Sequence, residues 1–144
     1  MHDVDVTMDK FHDYCVRILN KMSNKDPRRT SLLFSIMFLM ELAADEFKNV
    51  SHHLIPEVRG KKINKNILRL AGLIKQQVQA YQTLFYKYNK ESLKEMAKID
   101  QEVYLNTEKF YENTNEHEKE IIHHFRMIIR YFNGLMELRL EMEY

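Results

Sequence analysis

Three polar side chains on the second predicted helix have the types and the spacing of a metal site. Glu41 and Asp45 are four residues apart, so their carboxylates project from the same side of a helix. At about 100° per residue, His52 falls between them in angle, away from the apolar stripe. Two carboxylates and an imidazole suit a divalent or ferric cation. A solvated charged strip, with Lys48 as an ion-pair partner, is the commoner explanation of this spacing.

A second candidate metal site is a di-iron centre. A ferritin-like site needs a Glu-x-x-His pair on each of two facing helices. Glu120 and His123 form one such pair, and the sequence contains no second. The His52–His53 and His123–His124 doublets do not act as bidentate ligands, because adjacent helical residues diverge by about 100°. Glycine-rich phosphate loops, nucleophile elbows and His-Glu-x-x-His are also absent, so we predict a non-catalytic protein.

Phenylalanines and arginines mark two candidate contact surfaces. Phe34 and Phe38 lie on the same strip of the second helix as its carboxylates, so its first half is apolar on two sides. Such a helix is either central in a bundle or presents an apolar surface to a partner or a second copy. On the fifth helix, Arg126 and Arg130 form a polar strip suited to phosphate or a partner's carboxylate, with a solvated face as the alternative.

Helices are the elements that must position these residues. Three glycines and two prolines in 144 residues are too few for the turns of a β-sandwich or barrel. Apolar residues recur every three or four positions in five segments, at about 4–23, 27–55, 61–88, 91–112 and 117–143. Short connections make neighbouring helices antiparallel. We predict one all-α domain over residues 1–144, an antiparallel bundle of five long helices.

Charge and cysteine content exclude several classes of protein. There are 22 Lys and Arg against 21 Asp and Glu, so no basic field is available to hold nucleic acid. Cys15 is the only cysteine, which rules out an internal disulfide and a four-cysteine zinc site and favours a reducing, cytoplasmic compartment. No apolar run reaches the roughly 20 residues of a membrane span.

The middle of the second helix resembles the metal motif of the PhoU-type phosphate-transport regulators. Residues 39–49 read LMELAADEFKN. In the family the segment reads Glu-Arg-Ile-Gly/Ala-Asp-His-Ala-x-Asn. Glu41 and Asp45 match its Glu/Asp-x-x-x-Asp motif, and Asn49 matches its Asn. Phe38 stands where the family has an Arg three residues before the Glu. The residue after Asp45 is Glu rather than the family's His.

Helix five is similar to the family's second motif, and the order of helices resembles its repeat. Arg130 matches the family's Arg, while Asn133 replaces its Glu and Glu137 its Asp. The family builds repeats of three long helices. Helices three to five, about residues 61–144, correspond to one repeat, and helices one and two to the last two helices of a preceding repeat.

The resemblance implies a non-catalytic regulatory domain in phosphate uptake. Its partner would be a phosphate transporter or the transporter's membrane-embedded domain, with the chain at the cytoplasmic face or as the cytosolic C-terminal domain of a sodium/phosphate cotransporter. The metal would bind Glu41 and Asp45. The basic run 59–65 would face the membrane, although a solvated turn is the commoner explanation. The alternative is an α-helical structural or oligomerisation module without ligand, such as a homodimer.

Overall fold

Five α-helices form the computed structural model, which describes residues 2–22, 25–58 and 63–144. They are α1 (His2–Met22), α2 (Pro27–Val58), α3 (Lys65–Tyr86), α4 (Lys90–Tyr111) and α5 (Glu116–Glu141). No strand occurs within the described ranges, so the predicted all-α class is confirmed. The predicted helix bounds agree with the observed ones to within four residues.

Side-chain caps explain why four of these helices start where they do. Asp26 accepts a hydrogen bond from the Arg29 N–H at 3.0 Å and so caps α2. Asparagines cap the next three helices: Asn64 for α3, Asn89 for α4 and Asn115 for α5. The α5 cap is a full capping box, because the Asn115 N–H also donates to the side chain of Glu118.

Helices α3, α4 and α5 share one apolar core in which α5 is central. Tyr81 of α3 packs edge-on against Phe132 of α5, and the Arg139 Nε–H donates to the Phe85 carbonyl at 3.2 Å, so α3 and α5 run parallel. Helix α4 runs antiparallel to both, as short connections require. The core side chains with no exposed surface come from all three helices: Leu70, Leu84, Met96, Ile122, Ile128 and Leu135.

Helices α2 and α1 extend this unit on one side. Helix α2 lies antiparallel on α5 over the most extensive interface between helices, and buries Ile36, Ala43 and Val50 there. Gly134 of α5 makes room for the Leu39 side chain of α2, since a Cβ there would stand 2.9 Å from Cδ1 of Leu39. Among the described residues, the backbone of α1 approaches α2 and no other helix. No helix in the described part of the chain is long and apolar enough to cross a bilayer.

Replacing Gly72 by alanine is expected to raise the free energy of unfolding by about 0.5–1 kcal/mol. Gly72 lies inside α3, is exposed, and a Cβ built there meets no atom within 4 Å. The added methyl therefore restricts the unfolded chain without a clash. Urea titration measures the change. Gly134→Ala is the control, because contact with Leu39 should cancel much of the same gain. A loss of stability in Gly72→Ala would contradict the prediction.

Replacing Gln77 by methionine is expected to stabilise the protein by about 1–2 kcal/mol, because a buried unpaired amide costs about 1–3 kcal/mol. Gln77 is fully buried on α3, and neither its Nε2 nor its Oε1 has a hydrogen-bond partner among the described residues. Methionine has a similar length and no polar group to satisfy. The matched control is exposed Gln76→Met, expected within about 0.5 kcal/mol of zero. Equal urea midpoints for the two variants would show that the Gln77 amide carries no penalty.

Candidate functional site

The strip predicted on the second helix lies beside α1. Its Glu41 Oε2 is 3.1 Å from Nε2 of His12, so an imidazole from α1 contacts this carboxylate. Asp45 and His52 are exposed. At 1.5 Å per residue, His52 lies about 16 Å along the helix from Glu41, so one ion cannot bind both. Metal binding by Glu41 and Asp45 stays a prediction.

The four predicted contact residues do not come together on one surface. Phe38 is exposed on α2 and Phe34 is half-buried. Arg126 and Arg130 are exposed on α5 and border α4. Arg126 lies about 200° around α5 from His124, which faces α2, so the arginines and the phenylalanines occupy different sides of the bundle. The structure therefore separates the predicted contact set into two surfaces.

Arg126 is engaged locally with α4. Its guanidinium lies over the ring of Tyr104, 5.6 Å from the ring centre, in a cation–π contact. The Tyr104 hydroxyl hydrogen-bonds Glu108, and this bond, with the charge of the carboxylate, raises the pKa of the exposed Tyr104 phenol. The arginine thus sits in a mixed polar and aromatic groove between α4 and α5.

An open cleft of about 590 Å³ lies where the start of α2 meets the ends of α3 and α5. Three arginines line it, together with acidic residues that pair with two of them. The Arg139 Nη1 is 2.9 Å from the Glu143 carboxylate, and the Arg28 Nη2 is 3.7 Å from that of Glu141. These carboxylates offset much of the positive charge that a phosphate ion would need.

The basic residues Arg59, Lys61 and Lys62 of the predicted membrane-facing run lie outside the described residues.

Histidine and glutamate side chains converge at the opposite end of the α2–α5 interface. His53 of α2 meets Glu120 and His124 of α5, and one ligand atom from each lies within 4.8 Å of the other two. The rings of His53 and His124 stack at 5.5 Å, and His117 lies 5.8 Å from His53. We call His53, Glu120 and His124 the histidine cluster.

A carboxylate on α2 orients one member of the histidine cluster. Glu46 Oε2 is 2.5 Å from Nδ1 of His124, and both side chains are largely buried. A hydrogen bond from the Nδ1–H of His124 to this carboxylate would leave Nε2 as the nitrogen available to an ion. This is the arrangement in which a second carboxylate fixes the tautomer of a metal-binding histidine.

The sequence spacing contains a signal for the histidine cluster, but this signal is divided between α2 and α5. On α5, His117, Glu120 and His124 are spaced i, i+3 and i+7 and so share one face. On α2, Glu46 and His53 are seven residues apart and also share a face. The Glu120–His123 pair singled out above is not the one that converges, because His123 points outward while His124 faces α2. The two faces become one site only because α2 packs on α5.

Helices α1 and α2 also carry an exposed apolar surface. On α1, Phe11 and Tyr14 are more than half exposed, and Ile18 and Met22 continue the same stripe at spacings of three or four residues. On α2, the exposed large apolar residues are Phe38, Met40, Phe47 and Ile55. We call the four α1 residues, together with Met40, Phe47 and Ile55 of α2, the apolar surface. Phe38 lies about 160–180° around α2 from Met40 and Phe47 and is outside this surface. The α1 stripe is not used for packing within the described chain. Helix α1 contacts α2 through the neighbouring face, with Met8, Cys15 and Leu19.

No protein-family model, curated protein or solved structure matches this chain. The PhoU-like resemblance therefore stays a prediction. Function is therefore inferred from three features of the molecule: the apolar surface, the helix-two carboxylates and the histidine cluster.

Proposed function

We propose that this chain is a non-catalytic regulatory helical domain that binds a protein partner through its apolar surface, and that the process it regulates is phosphate uptake. The observation that carries the proposal is the exposed stripe on α1, with Phe11, Tyr14, Ile18 and Met22 open to solvent. The phosphate link comes from the PhoU-like motif at Glu41 and Asp45.

Two features of α1 support a partner. One face of this helix packs on α2, and a second face, about 100° away, is equally apolar but exposed. Fully burying a large apolar side chain contributes roughly 1.5–3 kcal/mol, and each of these four side chains, 37–62% exposed, would contribute part of that when a partner covers it. Contiguous exposed patches of this kind mark sites of protein interaction.

A groove beside α2 gives the partner a defined place to bind. Phe11 of α1 and Met40 of α2 line the same small apolar cavity between the two helices. Phe47 continues the groove on the α2 side. A helix of the partner laid along α1 and α2 would turn this helix pair into a three-helix unit, the size of one PhoU-like repeat. Glu41 and His12 border the same groove, so a charged rim accompanies the apolar floor.

Phosphate uptake in the native host tests the proposal. Deleting the coding sequence is expected to change the rate of phosphate uptake or its response to starvation, and the unaltered gene should restore it. A gene carrying Phe11→Asp with Ile18→Asp should fail to restore it at equal protein level. The control is Leu105→Asp, an exposed leucine on α4 away from the apolar surface. Unchanged uptake after deletion would rule out the phosphate role.

The alternative is an oligomerisation module without ligand, and the same apolar surface favours it. Two copies joined through α1 and α2 would form a four-helix contact of a common kind. Light scattering of the purified chain distinguishes the two. A metal-independent dimer that dissociates on Phe11→Asp with Ile18→Asp, with Leu105→Asp still dimeric, would support self-association. A monomer at all concentrations would leave the surface to a different protein.

A further inference from the structure

We propose that the histidine cluster is a transition-metal site of the zinc class, with His53, Glu120 and His124 as ligands and Glu46 as the residue that positions His124. This site is distinct from the strip at Glu41 and Asp45, and the inference does not depend on a role in phosphate uptake.

The geometry is close to that of a bound ion. Ligands held at about 2.0–2.1 Å in a tetrahedron lie roughly 3.4 Å from one another. The three ligand atoms of the cluster are already within 4.8 Å of each other, so small side-chain rotations bring them to that spacing. His53 and His124 are half-buried and Glu120 is exposed, and all three stand on α2 and α5, which form the most extensive helix–helix interface. Ligands on packed helices are held in place better than ligands on loops.

The Glu46–His124 hydrogen bond is the second observation that points to a metal. With the Glu46 carboxylate at Nδ1, the nitrogen of His124 that remains available to an ion is Nε2. A simple ion pair between these two residues explains their contact but not why His53 stacks on the same ring and Glu120 converges on it. A cation between the three ligands would account for these contacts, because one atom of His53, Glu120 and His124 would each bond to it.

The donor set selects the class of ion. Two imidazoles and one carboxylate form a borderline set that suits Zn²⁺ and its neighbours in the first transition row, whereas Mg²⁺ and Ca²⁺ prefer oxygen ligands. His117, on the same face of α5, places a further imidazole beside the cluster, 5.8 Å from His53 between ring centres. The ion would join α2 to α5 at the end of their interface remote from Gly134.

Zinc titration of the tag-free full chain by calorimetry tests the site. One Zn²⁺ per chain is expected at the histidine cluster. Glu46→Gln should weaken binding by roughly 10–100-fold, the usual cost of losing an outer partner of a ligand histidine, and His124→Ala should weaken it further. His53→Ala gives an independent ligand variant. The matched control is His52→Ala, next in sequence but exposed, which should bind zinc as the unaltered protein does. The pair Glu41→Ala with Asp45→Ala separates an ion held at the helix-two strip from the ion of the histidine cluster, which should still bind.

A spectrum of the unaltered chain with Co²⁺ needs no variant to fold. Intense visible absorption of a tetrahedral cobalt centre with nitrogen ligands is expected, and zinc should displace it. Three results would overturn the inference: no zinc binding by the unaltered chain, equal affinity in the His124→Ala and unaltered proteins, or loss of binding in the Glu41 and Asp45 variant with none in His53→Ala. Circular dichroism of each variant confirms that its helices are retained.

Discussion

Replacing Phe125 by alanine is expected to lower the free energy of unfolding by about 3–5 kcal/mol. Phe125 is 3% exposed and lies on α5, the helix that packs against α2, α3 and α4. Its loss leaves a cavity at the centre of the bundle that the surrounding helices cannot fill without moving their backbones. Since whole domains have only about 5–15 kcal/mol of stability, this one change removes a large part of it. Urea unfolding followed by circular dichroism measures the difference.

Phe38→Ala is the matched control for this prediction, because it deletes the same atoms from a side chain that is 57% exposed. Its effect on unfolding should stay near the range of about 0.5 kcal/mol typical of surface positions. Similar losses of stability in Phe38→Ala and Phe125→Ala would show that α5 is not the central helix of the core.

Zinc at about 100 times its dissociation constant is expected to raise the free energy of unfolding by about 2.7 kcal/mol, because it binds the folded chain and not the unfolded one. Its ligands come from two helices that are far apart in sequence, so the site exists only when α2 is docked on α5. Thermal melting of tag-free protein with zinc, and again after excess EDTA, measures the gain and its reversal.

The variant combining His53→Ala and His124→Ala should show no such gain, while His52→Ala should show all of it. Because all of these substitutions replace histidine by alanine, His52→Ala shows whether removing a histidine outside the cluster also lowers the zinc effect. A zinc effect that survives in the double variant would place the stabilising ion elsewhere in the chain. No effect in the unaltered protein would contradict a site in the histidine cluster.

The helices themselves could be predicted from the sequence because each is specified locally. Apolar spacing, the Asp26–Pro27 start of α2 and the scarcity of glycine act over a few residues, and the structure confirms the five helices they indicate. The core positions on α5 also follow from spacing: Ile121, Phe125, Ile128 and Phe132 are buried as the stripe requires.

The pairing of helices could not be predicted in the same way. Whether α2 packs on α3, α4 or α5 depends on the sum of many contacts between distant segments, and the apolar stripe of α2 alone suits any of them. The histidine cluster depends on that choice, because Glu46 and His53 reach His124 only across the α2–α5 interface. The contact between Glu41 and His12 likewise depends on how α1 is set against α2.

Among the residues that the structure describes, α1 packs on α2 and on no other helix, and this gives the fold a hierarchy of opening events. Its amides have one neighbouring helix to protect them, while those of α5 have three. Helix α1 can therefore separate from the rest in a sub-global fluctuation that leaves the α2–α5 interface and the three-helix core intact. Such an opening would uncover Met37 and Ala44 beside Met40 and lengthen the apolar groove of α2. Hydrogen exchange in α1 would then report how often the chain offers that wider surface.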